Sequence, residues 1–308
     1  MKPLRIGTRG STLARWQAEF VRKHLFQLTG VEAEIILIKT DGDKQQNLPL
    51  TQIGGKGIFI KELEEALLEE TIDLAVHSVK DIPTDTPGRL FFPAVCRRDD
   101  VRDCLVSHRG TLLANLKPGA RVGTSSLRRQ AQLRRHRPDL DLRDLRGNVD
   151  TRLRKVDSGE YDAIVLAKAG LDRLGWSQKI AETLSTDISL PAVGQGAIAI
   201  ESRVRDQEAA EILGKLDDEE TRTVIIAERA LLAALQGGCQ VPLGAWARME
   251  RGELVMEAAV CSVDGQRYVR QKVTGQPAQA AELGQQMAQL LVENGARDIL
   301  EEVNRARG

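Results

Sequence analysis

Arg121-Val122-Gly123-Thr124-Ser125-Ser126 is the stretch that decides the fold, because the chain makes the same start near its N-terminus. There, Arg5-Ile6-Gly7-Thr8 is followed by Ser11 and Leu13, as Arg121-Val122-Gly123-Thr124 is followed by Ser126 and Leu127. A second pair of strings repeats further on: Asp73-Leu74-Ala75-Val76 with Lys80, and Asp162-Ala163-Ile164-Val165 with Lys168. Each start reads as a short strand running into a Ser/Thr-capped helix, whose first N–H groups and positive dipole end favour an anion. Two similarly built α/β domains are predicted, each offering a helix start and cations to one shared cleft.

Outward from these starts, Leu4 to Gly7 is read as a strand, and Leu13, Trp16, Phe20 and Val21 recur at helical spacing. Ile35 to Ile38 is a second strand, and Asp41 to Leu50 a polar loop. Ile53-Gly54-Gly55-Lys56-Gly57 then leads into a helix with Phe59, Leu63, Ala66 and Leu67 on one face, so Lys56 joins a candidate anion site. The spacing is not that of a Walker A loop, since Gly57 follows Lys56. Ile72 to Val76 reads as a buried strand with His77-Ser78-Val79-Lys80-Asp81-Ile82-Pro83 at its carboxyl end, where open α/β sheets bind ligands. Lys80 and Asp81 fit that reading, or that of an ordinary solvated pair.

The second unit is rich in arginine. Arg128 and Arg129 fall in the first helical turn after Ser126, where cations oppose the dipole and an anion is required to settle them. Arg134, Arg135 and Arg137 are read as a solvated face near the helix end. Leu145-Arg146-Gly147-Asn148-Val149 is another strand-to-helix turn with Arg152 one turn on, and such guanidiniums suit a ligand bearing many carboxylates or phosphates. Leu190 to Gly196 suits a hinge, and Ala197 to Glu201 a strand that returns to the first domain. Glu219 to Leu235 is a helix delivering Gly237-Gly238-Cys239-Gln240-Val241-Pro242. Cys239 reads either as a thiol on an exposed elbow or as a small filler behind a glycine cap. Leu243–Trp246, Glu253–Val260 and Arg267–Val273 read as strands of a small antiparallel sheet, followed by a helix over 278–294. The domains are therefore drawn as 1–96 with 197–216, 101–190, and 219–308.

The chain has 308 residues, enough for two or three domains. Its 44 basic and 44 acidic residues balance, and aromatics are only 3%, which argues against a coat for nucleic acid or a platform for stacked bases. Four cysteines, at 96, 104, 239 and 261, show neither CxxC spacing nor disulfide-scaffold density, which suggests reduced thiols. No metal-ligand cluster is evident among them and the four histidines. With neither a signal-peptide core nor an apolar run of membrane-spanning length, a cytoplasmic protein is expected.

Taken together, Arg5 to Gln17, Gly54 to Glu62, His77 to Pro83, Gly123 to Gln130, Leu145 to Val149, Leu190 to Ala197 and Gly237 to Pro242 resemble the porphobilinogen deaminase family, also called the hydroxymethylbilane synthases. The resemblance covers nearly the whole chain in the same order. It implies two periplasmic-binding-protein-like α/β domains plus a smaller C-terminal α+β domain. It also implies a dipyrromethane cofactor on a cysteine thioether, onto which four porphobilinogen units are added head to tail with loss of ammonia before hydroxymethylbilane is hydrolysed off. By the same resemblance Cys239 is the anchor and Asp81 the catalytic carboxylate, which stabilises the azafulvene cation and assists proton transfer at the pyrrole nitrogen. Lys56, Lys80, Ser126, Arg128, Arg129, Arg146 and Asp81 would bind the cofactor. Arg9, Ser11, Gln17, Arg146, Asn148, Arg152, Arg173 and Gln195 would bind substrate, in a protein expected to be monomeric with no metal, membrane or nucleic-acid partner. The chain departs from the family pattern at Gln52, where lysine is frequent, and at Asp150, where glycine is common.

Two other functions fit parts of the pattern. A non-enzymatic anion receptor needs the arginines but neither Asp81 nor Cys239, and a nucleic-acid binder is supported by the arginines alone. Because one site must hold products of several lengths, Arg97 to Val101 and Pro191 to Gly196 are expected to be hinges, or the Asp41 to Leu50 loop to shift.

Overall fold

Leu4–Arg9 forms strand β1, and Ser11 caps the helix that follows: its Oγ accepts from the Ala14 N–H at 3.3 Å, replacing a helical partner that the first turn lacks. That helix, α1 (Thr12–Thr29), stops at Gly30, whose φ of 72° is the left-handed cap conformation glycine adopts without strain. The structure is a computed structural model and describes residues 2–40, 60–84, 87–235 and 241–305.

In chain order the next elements are β2 (Ala33–Ile38), α2 (Lys61–Leu68), β3 (Leu74–Ser78) and β4 (Leu90–Val95). They are followed by β5 (Asp103–Ser107), β6 (Arg121–Gly123), α3 (Leu127–His136), β7 (Asp141–Arg143), α4 (Val149–Asp157), β8 (Ala163–Ala167), α5 (Lys168–Arg173) and β9 (Glu182–Thr183). Then come β10 (Ile198–Arg203), α6 (Gln207–Gly214), α7 (Glu219–Ala234), β11 (Leu243–Glu250), β12 (Glu253–Cys261), β13 (Tyr268–Gly275), α8 (Ala280–Leu291) and α9 (Arg297–Arg305).

Met1–Asp99 with Ala197–Arg222 form one compact unit, and Asp100–Gly196 with Thr223–Gly308 form the other. The chain passes between them inside the Arg97–Val101 segment and at the end of Pro191–Gly196, two connections the sequence marks, and a third time between Arg222 and Thr223. The sheet of the first unit has the order β2-β1-β3-β10-β4, and the second unit contains a sheet of order β7-β6-β8-β5-β9. In both, three parallel strands are followed by an antiparallel one, β10 on β3 and β5 on β8. Apolar clusters cover both faces of each sheet, as parallel sheets require.

The repeat is physical as well as textual. Arg5 donates to Asp73 through its backbone N at 2.9 Å, Nε at 3.0 Å and Nη2 at 2.8 Å, and Arg121 makes the same three bonds to Asp162 at 2.8, 3.0 and 3.1 Å. Each ties the start of one strand to the start of its parallel neighbour. Gly7 and Gly123 occupy equivalent places: an added Cβ would lie 2.2 Å from Ile72 Cδ1 in one and 2.8 Å from the Tyr161 ring in the other. Those side chains immediately precede the two aspartates, so the R-[IV]-G-T string encodes both the ion pair and the space beside it.

The C-terminal strands form the three-stranded antiparallel sheet β11-β12-β13, with Arg251 and Gly252 at positive φ in the first turn and Gly265 in the second. Against it α8 buries Leu283, Met287 and Leu291, and α7 packs so closely on α8 that a Cβ on Gly284 would stand 2.2 Å from the Ala227 carbonyl. The expected solvated face of α3 holds only in part: Arg135 is exposed and Arg134 and Arg137 are half-buried, but all three side chains have partners. Arg134 Nη1 donates to Val263 O at 2.7 Å, Arg135 lies 4.5 Å over the Tyr268 ring, and Arg137 donates to the carbonyls of Leu113 and Leu116 at 2.5 and 2.8 Å. Long guanidinium stems cover apolar surface while their heads satisfy carbonyls, a role that a count of charges does not reveal.

Candidate active site

In the first unit the parallel neighbours β1 and β3 bring their carboxyl ends to one edge of the sheet. Arg9 closes β1, and Ser11 spends its hydroxyl on the cap of α1. One turn into α1, the buried Gln17 donates from Nε2 to Ser78 Oγ at 2.8 Å, tying the helix to the last residue of β3. A single 3-10 turn, Val79–Asp81, follows. Val79 and Ile82 are buried, and the Val79 N–H donates to Ala197 O at 3.0 Å, so the turn is pinned by its apolar residues. Lys80 is left half-buried and Asp81 exposed at the carboxyl end of the strand. Among the described residues no hydrogen bond reaches the Asp81 carboxylate. Behind the turn, His77 Nε2 and Glu201 Oε2 are 2.9 Å apart, both side chains almost sealed from solvent. Burial, reinforced by the Glu201 charge, pushes the neighbouring Glu64 carboxyl up.

In the second unit Ser126 repeats the role of Ser11, its Oγ accepting from the Arg129 N–H at 3.5 Å. Ser125 ties this loop to the next strand end, accepting from Leu145 N at 2.9 Å and donating to Leu145 O at 3.0 Å. The anion that Arg128 and Arg129 require proves to belong to the protein itself. Asp103, fully buried, accepts from Arg128 Nη1 at 2.7 Å, from Arg129 Nη2 at 2.7 Å and Nε at 3.1 Å, from Ser189 Oγ at 2.7 Å and from Gln195 Nε2 at 2.9 Å. Burial alone would raise the Asp103 carboxyl; the two guanidinium charges and their hydrogen bonds outweigh it and hold it far below the usual range. The sequence reading missed Asp103, and the only signal for it was the pair of cations at a helix start.

Arg146 and Asn148 flank Gly147, whose φ of 105° closes the turn into α4. Arg146 is half-buried, and burial lowers its guanidinium against the pull of Asp144. Asn148 occupies the cap position without a side-chain cap bond, and Arg152 donates from Nε to Gly147 O at 2.7 Å. The departure Asp150 sits in the first turn of α4, where an acid complements the helix dipole. Arg173 and Gln195 are buried in this unit: Arg173 Nη2 donates to Gly196 O at 2.7 Å, and Gln195 Nε2 also donates to Val101 O at 2.7 Å. Lys168, the echo of Lys80, is engaged by Asp172 at 2.5 Å. Cys239, Lys56 and Gln52, together with the Asp41 to Leu50 loop, lie outside the described residues. The other three thiols are buried, and burial pushes Cys104 up to about 12 and Cys261 to about 11.

Residues 4–211 match the family model described as porphobilinogen deaminase, dipyromethane cofactor binding domain, and residues 222–293 match the porphobilinogen deaminase C-terminal domain. The chain belongs to the porphobilinogen deaminase family. It is 47% identical over 304 residues to the porphobilinogen deaminase of Syntrophobacter fumaroxidans, covering 98% of each chain. It is 48% identical over 303 residues to that of Pelobacter propionicus, covering 98% of this chain and 97% of the other. Among solved structures it is similar to the VFT2 domain of Bordetella pertussis BvgS, with 18% identity, 72% and 91% of the two chains covered and a TM-score of 0.43. A periplasmic substrate-binding protein of an ABC transporter from Coxiella burnetii gives 16% identity, 69% and 91% coverage and a TM-score of 0.44. As a member of this family the chain is a transferase of tetrapyrrole biosynthesis, polymerising four porphobilinogen molecules with release of ammonia onto a dipyrromethane held by a cysteine thioether, and releasing hydroxymethylbilane by hydrolysis. No helix among the described residues is long and apolar enough to cross a membrane.

Proposed function

We propose that Cys239 carries the dipyrromethane and that Asp81 is the carboxylate on which each condensation turns. The observation that carries the first assignment is elimination: attachment needs a thiol open to a two-ring ligand, and Cys96, Cys104 and Cys261 are all buried. The second rests on exposure. A carboxylate held at a strand end by buried neighbours, with no described internal partner, is available to a cation.

The residues suit the cofactor: the arginines match its acetate and propionate groups, and Arg128 Nε is a buried donor with no acceptor among the described residues. When bound, the dipyrromethane supplies the pyrrole carbon to which the first unit is joined. Asp81 stabilises the positive charge that develops on porphobilinogen as its aminomethyl group leaves as ammonia, and assists proton transfer at the pyrrole nitrogen. Arg9, Ser11, Lys56, Lys80, Ser126, Arg128, Arg129, Arg146, Asn148 and Arg152 serve the carboxylates of cofactor and substrate. Gln17 orients the end of β3. Arg173 and Gln195, whose described bonds go to backbone carbonyls, Asp103 and Arg129, support the 190–196 segment. Residues 219–308 form a domain of their own, and the protein works as a cytoplasmic monomer.

Intact-mass measurement tests the assignment: the purified protein carries an excess of two linked pyrroles that is lost in Cys239→Ser. An unmodified mass in active protein, or an excess retained in Cys239→Ser, overturns it.

A further inference from the structure

We propose that a cleft at the C-terminal end of α3 is a second small-molecule site, whose ligand carries both a carboxylate and an amino group. It lies a helix length, about 15 Å, from the Ser126 cap at the other end of α3, and none of its lining residues has a part in the condensation described above.

The cleft has a volume of about 340 Å³ and is built within the second unit, from Gln132, Arg135 and His136 of α3, Asp187 and Ile188, and Tyr268 at the start of β13. Its walls are held in place. Arg134 Nη1 donates to Val263 O at 2.7 Å, and a Cβ on Gly265 would stand 2.6 Å from the Arg135 backbone N, so the turn between β12 and β13 is pressed against the helix end. Gln132 is locked to one residue, donating to Leu190 O at 3.1 Å and accepting from Leu190 N at 2.8 Å. At the small end of the range for ligand pockets, the cavity suits a molecule of one ring.

A helix C-terminus attracts cations whatever lies beyond it, so the basic last turn of α3 alone points to nothing. The cavity and the state of the groups that line it are what point to a ligand. Arg135 lies 4.5 Å over the Tyr268 ring, which occupies one face of the guanidinium and leaves its N–H edge. Among the described residues no hydrogen bond reaches that guanidinium or the exposed His136 ring. A guanidinium edge offers paired N–H groups to a carboxylate. Asp187 brings the opposite charge into the same cleft. Its Oδ1 accepts from Arg270 Nη1 at 2.9 Å, while Oδ2 accepts nothing among the described residues and the side chain is 85% exposed. Arg270 is itself spent, since its Nη2 donates to Glu257 at 2.6 Å. A simple anion would therefore satisfy Arg135 and meet Asp187 as a like charge, and a simple cation would do the reverse. A ligand with a carboxylate and an ammonium group matches both, and the Tyr268 ring and Ile188 give its body an apolar surface.

The probe is 4-aminomethylbenzoate, titrated calorimetrically into the holoenzyme at fixed ionic strength beside its two halves, benzoate and benzylamine. The probe should bind about fivefold or more tightly than either half, and Arg135→Gln and Asp187→Asn should each weaken it by a similar factor. Benzylamine should be indifferent to Arg135→Gln, and benzoate should bind no worse in Asp187→Asn. Benzoate binding as tightly as the probe, a probe affinity unchanged in both variants, or no binding of the probe overturns the proposal. The comparison with the two halves needs no variant, so it decides even if a substitution prevents folding. Porphobilinogen and free aromatic amino acids share the required chemistry. Displacement of the probe by porphobilinogen in the Asp81→Asn holoenzyme would make the site a second one for substrate, and displacement by phenylalanine would make it one for an amino acid; either result supports the proposal.

Discussion

Asp81 and Asp103 are the same side chain put to opposite uses, and the difference is set by what surrounds each. Asp81 is held out by Val79 and Ile82, which bury themselves on either side of it. Asp103 is drawn in and surrounded by donors. Asp81→Asn keeps the shape of the turn and removes the charge, so the variant is expected to retain the two-pyrrole mass while kcat falls by about 10²-fold or more; full turnover in Asp81→Asn would remove the carboxylate from the mechanism. The thiols give a second residue-level expectation. Only the thiolate reacts, and burial holds Cys104 near 12 and Cys261 near 11, so in native protein at pH 8 alkylation should leave Cys96, Cys104 and Cys261 unmodified, and unfolding should expose all three. Peptide mapping before and after denaturation checks this. The place of Asp81 just past a strand end was legible in the sequence because it depends only on β3 and the turn after it. Asp103 was not, because its partners lie 25, 26, 86 and 92 residues away and meet it only in the folded chain.

At the scale of elements, the repeated start is the feature that sequence and structure share most closely. Its two glycines leave room for a specific neighbour, which makes the fit testable. Gly7→Ala would set a methyl 2.2 Å from Ile72 Cδ1 and should destabilise the protein by about 1–3 kcal/mol. Ile72→Val removes that terminal carbon, so in the double variant most of the penalty should disappear, a coupling of about 1–2 kcal/mol in denaturant unfolding. Additive losses would mean that the glycine is needed for something other than space. The strands that alternate or carry long apolar runs were readable, including the return of the chain into β10. Of those that were not, β4, β7 and β9 are short or interrupted, since β4 contains Pro93 and β7 and β9 have three and two residues, while β5 is a five-residue strand that starts on the charged Asp103. Such segments become strands because a neighbour already offers a hydrogen-bonding edge, and no period within them records it.

Across the whole chain the 44 basic and 44 acidic residues cancel, yet the acids are not in equivalent places, and this sets the pH response. Asp73, Asp100, Asp103, Asp162 and Glu257 are all held below their ordinary values: burial opposes this for all but Asp162, where it is a minor term, and bonds to arginine outweigh it. A carboxyl depressed in the folded state binds protons more weakly there than when unfolded. Its stabilisation is therefore present above its unfolded value, about 4, and is lost as pH falls toward the folded value. Glu64 acts the other way, because its raised carboxyl gains stability when it takes up a proton, but it is one group against these five and the more exposed Glu19, Asp139 and Asp264, which hydrogen bonds also hold down. Stability measured by urea unfolding should therefore change little from pH 8 to pH 5 and fall steeply below about pH 4. The Asp103 cluster should be the last to release its ion pairs, since its carboxyl lies furthest below the ordinary range. Acid unfolding that was complete at pH 4, or stability that rose between pH 4 and pH 3, would show that these arginine pairs do not govern the folded state.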